Sequence, residues 1–308
     1  MRRFLYCEAG FVEKTTWQED CWVNIELPTR EDILYLTETL SIPDSFLSDI
    51  EDVDERPRIE IEDGWTMMIL RIPYHSAGDA VPYITVPLGI ILKEHYLITV
   101  CHYATDMISD FIRYIDKKNY VITEIWDLVF RLFLSSSVWY LKYLKQLSAQ
   151  TRDAEWELEL SVENEELHRL LKIEKSHVFF ITSLQGNDSL LTKLKNLRFQ
   201  REFFDEELVE DVEIELKQAL ETSRIYSDIL SSTMDSFASV ISNNLGVIMK
   251  RMTAISVILM VPTLIASFYG MNVPNGMETY NLGFILICII SIFLSGIAVW
   301  YFRKRNWF

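Results

Sequence analysis

KRMTAISVILMVPTLIASFYGMNVPNGMETYNLGFILICIISIFLSGIAVWYFRKRNWF, residues 250–308, is the stretch whose reading decides the fold. Residues 252–277 contain no charge, Glu278 interrupts, and residues 279–302 are again free of charge. The hydrocarbon core of a bilayer is roughly 30 Å thick, and a helix crosses it with about 20 apolar residues. Both runs are long enough. A backbone in lipid must satisfy its own hydrogen bonds, so both runs read as helices. YGMNVPNG, residues 269–276, lies between them and carries turn chemistry, two Gly and a Pro. Lys250 and Arg251 precede the first run, and Arg303, Lys304 and Arg305 follow the second. Basic flanks remain on the cytoplasmic side, so both ends of this hairpin are expected there and its short loop outside. Trp300, Tyr301, Trp307 and Phe308 suit an aromatic belt at the inner boundary. The competing reading is a buried hairpin in a soluble protein; two charge-free runs with basic flanks weigh against it.

The first run is not uniformly apolar. Thr253, Ser256, Met260, Thr263 and Ser267 recur three and four residues apart. At about 100° per residue they fall within roughly 80° of one another. The same face extends back through Met249, Gly246, Ser242, Ser239 and Asp235, and the opposite face is Ile, Val and Leu. Small and hydroxylated residues let membrane helices approach and bond. They also form a water-contacting pore wall when several copies turn that face inward. The stripe runs from below the first span through all of it, which favours the pore wall.

Gly270-Met271-Asn272, behind Tyr269 at the outer end of the first span, is the motif through which this chain resembles the CorA magnesium transporter family. A second span and a basic, aromatic tail follow, as in that family. Asn243-Asn244-Leu245-Gly246-Val247-Ile248-Met249-Lys250 and Met260-Val261-Pro262-Thr263 are similar to its pore helix. The resemblance covers the whole length and is firmest from about Asp235 onward. Met271 points to the magnesium branch, because the zinc-transporting relative carries Ile at that place.

The resemblance implies a homopentamer with Gly270, Met271 and Asn272 as its selectivity motif. It also implies acidic sites where Mg²⁺ closes the pore when internal Mg²⁺ is high. Asp235 stands at one acidic position of the family's pore helix, and Asp211 matches another further up the stalk. Asp79 is the expected partner of Asp211 from the N-terminal part; nearby His75 occupies a position where relatives carry a carboxylate. Gly246 departs from the family, which places Asn there, although Asn243 is close. Mg²⁺ is small, octahedral and slow to lose water. Asn272 is therefore expected to offer a neutral oxygen to the hydrated ion, one per subunit. Met271 packs, since a thioether is a poor ligand for a hard cation. Thr253, Thr263 and Ser267 are expected to meet the ion's water shell, and Met249 and Met260 to form a hydrophobic constriction. Glu278, in the loop, reads equally as a cation-attracting charge or a plain loop charge.

The chain has 308 residues and a formal net charge of -16. Without Lys250, Arg251, Arg303, Lys304, Arg305 and Glu278, residues 1–249 hold 24 basic and 44 acidic side chains. That balance excludes nucleic acid as a default partner. It suits a domain that meets cations, although most such charge serves solubility. Cys7, Cys21, Cys101 and Cys288 are scattered and read as reduced thiols; the five His form no ligand cluster. No signal peptide follows Met1-Arg2-Arg3-Phe4.

Residues 1–103 alternate short strands and helices. Strands are expected at 4–6, 21–27, 58–62, 65–72, 84–92 and 96–101. Thr29 caps a helix over 30–40, and Pro43 starts another to about residue 50. This reads as an α/β domain with a mixed sheet. Helices follow at 104–115 and from 123 to about 174, the latter acidic over 152–167, while 185–189 (QGNDS) reads as a loop or joint. No Gly or Pro stands in 206–244, so one helix is expected from about 203 to 270, roughly 100 Å at 1.5 Å per residue. Such a helix is stable only if copies pack together, so oligomerisation is implied.

The expected fold class is an α+β membrane protein. A cytoplasmic α/β domain occupies 1–103, a helical part 104–202, and a stalk helix continuing into the first span 203–271. An external loop (272–280), a second span (281–303) and a basic tail (304–308) complete it. No phosphate loop or nucleophile elbow points to an enzyme. The expected function is Mg²⁺ uptake across the cytoplasmic membrane, with Mg²⁺ as both cargo and regulatory ion. Two alternatives stay open: transport of Co²⁺, Ni²⁺ or Zn²⁺, and a membrane-anchored cation sensor that does not conduct.

Overall fold

The computed structural model describes residues 2–8, 10–76, 78, 81–122, 124–160, 164–196, 205–271 and 282–307. The chain forms two compact units, Met1–Ser232 and Thr233–Phe308.

The first unit is built on a seven-stranded mixed sheet. Its strands are β1 (Arg2–Cys7), β2 (Phe11–Lys14), β3 (Trp22–Glu26), β4 (Arg58–Glu62), β5 (Trp65–His75), β6 (Tyr83–Lys93) and β7 (Tyr96–Cys101). Their order is β2-β1-β3-β7-β6-β5-β4. β3 and β7 run parallel, with Val23 opposite Ile98, and the other pairs are antiparallel. β2 escapes the sequence reading because it is a four-residue edge strand ending in Glu13 and Lys14. Side chains of a strand alternate between faces. Met67 and Ile69 of β5 accordingly join one core with Leu36, Phe46, Leu47 and Ile50. Met68, Leu70 and Ile72 are equally buried, so the sheet centre is covered on both faces.

One cover is α1 (Arg30–Leu34), its π-helical continuation Tyr35–Thr39, and α2 (Asp44–Glu51). Thr29 and Asp32 form a reciprocal capping box at the start of α1. Gly89 of β6 admits α2 closely: a Cβ there would lie 2.2 Å from Cδ1 of Ile50. The remaining helices of this unit are α3 (Asp106–Lys118), α4 (Ile125–Leu160) and α5 (Asn164–Lys195), followed by the start of α6 (Glu206–Tyr269).

The structure differs from expectation in two further places here. The helix expected from 123 to about 174 is two helices, α4 and α5, with Arg169 of α5 bonding Glu157 of α4 at 3.2 Å. The stretch 185–189 is not a joint but the interior of α5. Arg71 of β5 lies opposite Pro87, which has no N–H, and beyond the last residue paired with β4. Its backbone N–H donates to Asn187 Oδ1 at 3.0 Å, and its carbonyl accepts from Asn187 Nδ2 at 2.8 Å and Tyr140 Oη at 3.0 Å. Gly186 makes room for Pro57, which would lie 2.6 Å from a Cβ at that position. The polar residue and the glycine serve tertiary contacts that no local pattern displays.

The second unit contains the rest of α6 and α7 (Gly283–Lys304). α6 is continuous over 64 residues, about 96 Å at 1.5 Å per residue, through Pro262. α6 and α7 are both long and apolar enough to cross a membrane, and only 6% of each apolar window is buried within the chain. A core helix would show the opposite.

Candidate functional site

The residues expected to line a pore all lie on α6. Asp235, Met249, Thr253, Ser256, Met260, Thr263 and Ser267 are exposed, and Gly246 is half-buried. A Cβ on Gly246 would meet nothing within 4 Å. The purely apolar side opposite the stripe is less open: Ala254 is buried and Ile258, Val261 and Ile265 are half-buried, while Ile255 and Leu259, between the two sides, are 49% and 65% accessible. Within one chain the stripe is thus the more open side of the helix.

Two hydroxyls of the stripe have fixed directions. Thr253 Oγ1 donates to the Met249 carbonyl at 2.8 Å, and Thr263 Oγ1 donates to the Leu259 carbonyl at 2.9 Å. With their hydrogens committed to the helix, both oxygens present lone pairs outward as acceptors. That polarity matches the hydrogens of a cation's water shell. Pro262 leaves the Ile258 carbonyl without its usual i+4 donor, yet the helix runs on to Tyr269.

At the end of α6, the Gly270 N–H donates to the Ala266 carbonyl at 2.9 Å. Gly270 does not adopt the left-handed conformation. A Cβ there would lie 3.2 Å from the Ala266 carbonyl, so close backbone approach rather than a reversed turn is the local reason for glycine. Met271 is 54% exposed. Asn272, the third residue of the motif, and Glu278 lie outside the described residues. At the end of α7, Lys304 stacks 5.1 Å from the Trp300 ring and Arg305 5.9 Å from the Tyr301 ring.

Of the expected regulatory pair, Asp79 also lies outside the described residues. His75 ends β5, with its ring 5.1 Å from that of Tyr83. Asp211 sits in the first unit, where it lines a cavity of about 540 Å³ together with Asp110, Asp205 and Glu207. The sequence reading singled out none of those three. The run Asp205-Glu206-Glu207 is a signal for the helix start, and Asp205 does cap it, accepting from the Glu207 and Leu208 N–H groups. Asp110 is 95 residues away from Asp205 in sequence, and only the fold brings the two into one cavity. Among the described residues, no three His, Cys, Asp or Glu side chains converge to hold a metal ion.

Comparison with known proteins places these features. The sequence model described as "CorA-like Mg2+ transporter protein" matches residues 17–304. The chain is similar to the cobalt/magnesium transport protein CorA of Methanocaldococcus jannaschii, 26% identical over 93% of this chain and 90% of that protein. It is also similar to the protein of the same name from Thermotoga maritima, 24% identical over 93% of this chain and 83% of that one. The complete structure of the M. jannaschii CorA magnesium transporter superposes with a TM-score of 0.84, at 24% identity, over 100% of this chain and 99% of that one. That structural likeness shows a shared fold, and the sequence match across nearly the whole length shows that the chain belongs to the CorA-like Mg2+ transporter family.

Proposed function

We propose that this protein mediates passive Mg²⁺ uptake across the cytoplasmic membrane, as a homopentamer with its first unit and both termini in the cytoplasm. The observation that carries this reading is the uninterrupted α6, whose weakly polar, exposed face runs from Asp235 to Ser267 and leads into Gly270-Met271-Asn272. Copies that turn this face inward form a pore wall of hydroxyl and thioether groups. The outward lone pairs of Thr253 and Thr263 accept from the waters of a hydrated ion, so dehydration is not required along the span. Met249 and Met260, 67% and 63% exposed, form the apolar constrictions. Asn272 supplies the ring of neutral oxygens at the outer mouth. Asp235 and Asp211, with Asp79, are the positions at which internal Mg²⁺ favours the closed form, through tighter binding to that form.

The test is Mg²⁺ entry into liposomes that hold the full chain and a trapped dye, with internal Mg²⁺ preset low or high. Wild-type entry is expected to fall as internal Mg²⁺ rises. Asn272→Ala is expected to lower entry at least tenfold while the pentamer remains intact by size. Undiminished flux through intact Asn272→Ala pentamers would remove the role assigned to Asn272. The relatives' names include cobalt, so Co²⁺ entry measured in parallel decides how far the pathway discriminates.

A further inference from the structure

The cavity beside Asp211 has more in it than a hydrated inorganic ion can use. It lies between α3, α4 and the first turns of α6, and its volume of about 540 Å³ falls within the usual range of small-molecule sites, about 300–1,000 Å³. Phe111 and Tyr114 from α3, Tyr120 beyond it and Trp139 from α4 supply aromatic walls. Tyr114 is half-exposed, its ring 6.1 Å from that of Tyr120. Two of these rings already hold cations of the chain itself: Arg131 lies 4.7 Å from the Tyr120 centroid and Lys142 3.5 Å from that of Trp139. Among the described residues, four carboxylates line the same space, and two are engaged: Asp110 by Arg113 at 3.3 Å, and Asp205 by the helix start. Arg131, the cationic lining residue, is committed to Asp127 at 2.7 Å. Glu207 and Asp211 form no ion pair among the described residues.

We propose that this cavity binds an aliphatic polyamine, with its methylenes against Phe111, Tyr114 and Trp139 and its ammonium groups toward Glu207 and Asp211. Carboxylates spread around a cavity match charges spread along a chain, whereas a metal needs them to converge, and no three do among the described residues. A strongly hydrated Mg²⁺ gains little from aromatic faces, but an alkylammonium group gains both cation–π attraction and apolar contact. The site shares Asp211 with the Mg²⁺ regulation proposed above, so the two ligands compete there, and the aromatic contacts belong to the polyamine alone.

Spermidine binding to the detergent-solubilised full chain, measured by isothermal titration calorimetry, is the test. One spermidine per chain is expected. Glu207→Gln and Tyr114→Leu are each expected to weaken it at least tenfold, and both positions are exposed enough that neither variant removes core packing. Tyr114→Leu is expected to leave the fall of Mg²⁺ entry with rising internal Mg²⁺ unchanged, which separates the polyamine contacts from the regulatory use of Asp211. The proposal is overturned by absence of binding, or by binding that survives Tyr114→Leu or Glu207→Gln, the mark of a diffuse acidic surface.

Discussion

The front and rear of α6 follow one helical path under two different physical regimes. In the front part, Val212, Leu216 and Ala219 are at most 1% exposed, while Glu210, Asp211 and Glu215 on other faces carry charge. In the rear part, Met249, Leu259 and Met260 are all more than 60% exposed, and no charge appears from 252 to 269. The front is an ordinary amphipathic helix, held by its own chain. The rear carries no charge, is apolar but for its stripe of Thr and Ser, and is mostly uncovered within the chain, as a helix in lipid can be. Apolar content alone does not separate the two; the disappearance of charge does.

The sharpest way to break this comparison is to truncate one leucine in each part. Leu216→Ala removes a buried side chain and is expected to destabilise the first unit by about 2–5 kcal/mol. Leu259→Ala, at a 65% exposed position, is expected to leave the melting of the first unit within about 0.5 kcal/mol of wild type and to show itself in assembly yield or flux instead. Thermal unfolding of both variants in the same detergent checks this. Equal losses of melting temperature would mean that the rear part is also held by intrachain packing.

The same contrast explains what was legible in the sequence. Charge-free runs, the unbroken stretch after Asp205 and the alternating strands of the sheet centre are local patterns, and each is present in the structure. Thr29 with Asp32 is likewise a local signal, confirmed as a capping box. The interior position of Gly186 and Asn187 was hidden because their reasons, Pro57 and the unpartnered backbone of Arg71, lie more than 100 residues earlier. The α4–α5 break was hidden because helix-forming residues continue through 152–167. The companions of Asp211 were hidden because Asp110 comes from α3. The placement of the stripe residues on one continuous helix was legible, since their spacing is local, whereas what that face meets is set by surroundings that one sequence does not position.

A smaller effect sharpens how the front part is held. His177 of α5 is buried, its ring 6.2 Å from that of Tyr226 on α6, and its Nδ1 has no hydrogen-bond partner among the described residues. Burial pushes the imidazole down from 6.5 to about 4. The folded chain therefore holds this side chain neutral while the unfolded chain takes up a proton near pH 6.5. The resulting stability is complete above that pH and is lost as pH falls toward 4, on the order of 2 kcal/mol by pH 5. His177→Gln is expected to lower stability at pH 7 and to flatten its decline between pH 7 and 5. A decline as steep in the variant as in wild type would assign the pH response to other groups.

The smallest expected effect concerns charge at the same contact. Glu213 of α6 accepts from Lys195 at the end of α5 and from Lys217 one turn on, at 2.5 Å, and these partners hold its carboxyl down at about 2. Its contribution is present above the ordinary carboxylate value of 4.5 and is lost as pH falls from there toward 2. The Glu213 side chain is 29% exposed and its partners Lys195 and Lys217 40% and 59%, so solvent screens the attraction, and a partly exposed link of this kind is worth about 0–1 kcal/mol. Glu213→Gln is thus expected to cost less than half of what Leu216→Ala costs, and molar salt is expected to erase the difference from wild type, since the screening length falls to about 3 Å. If Glu213→Gln instead matches Leu216→Ala at physiological salt, the front of α6 is gripped by its ions rather than by its buried face, and its contrast with the charge-free rear becomes one of electrostatics rather than of packing.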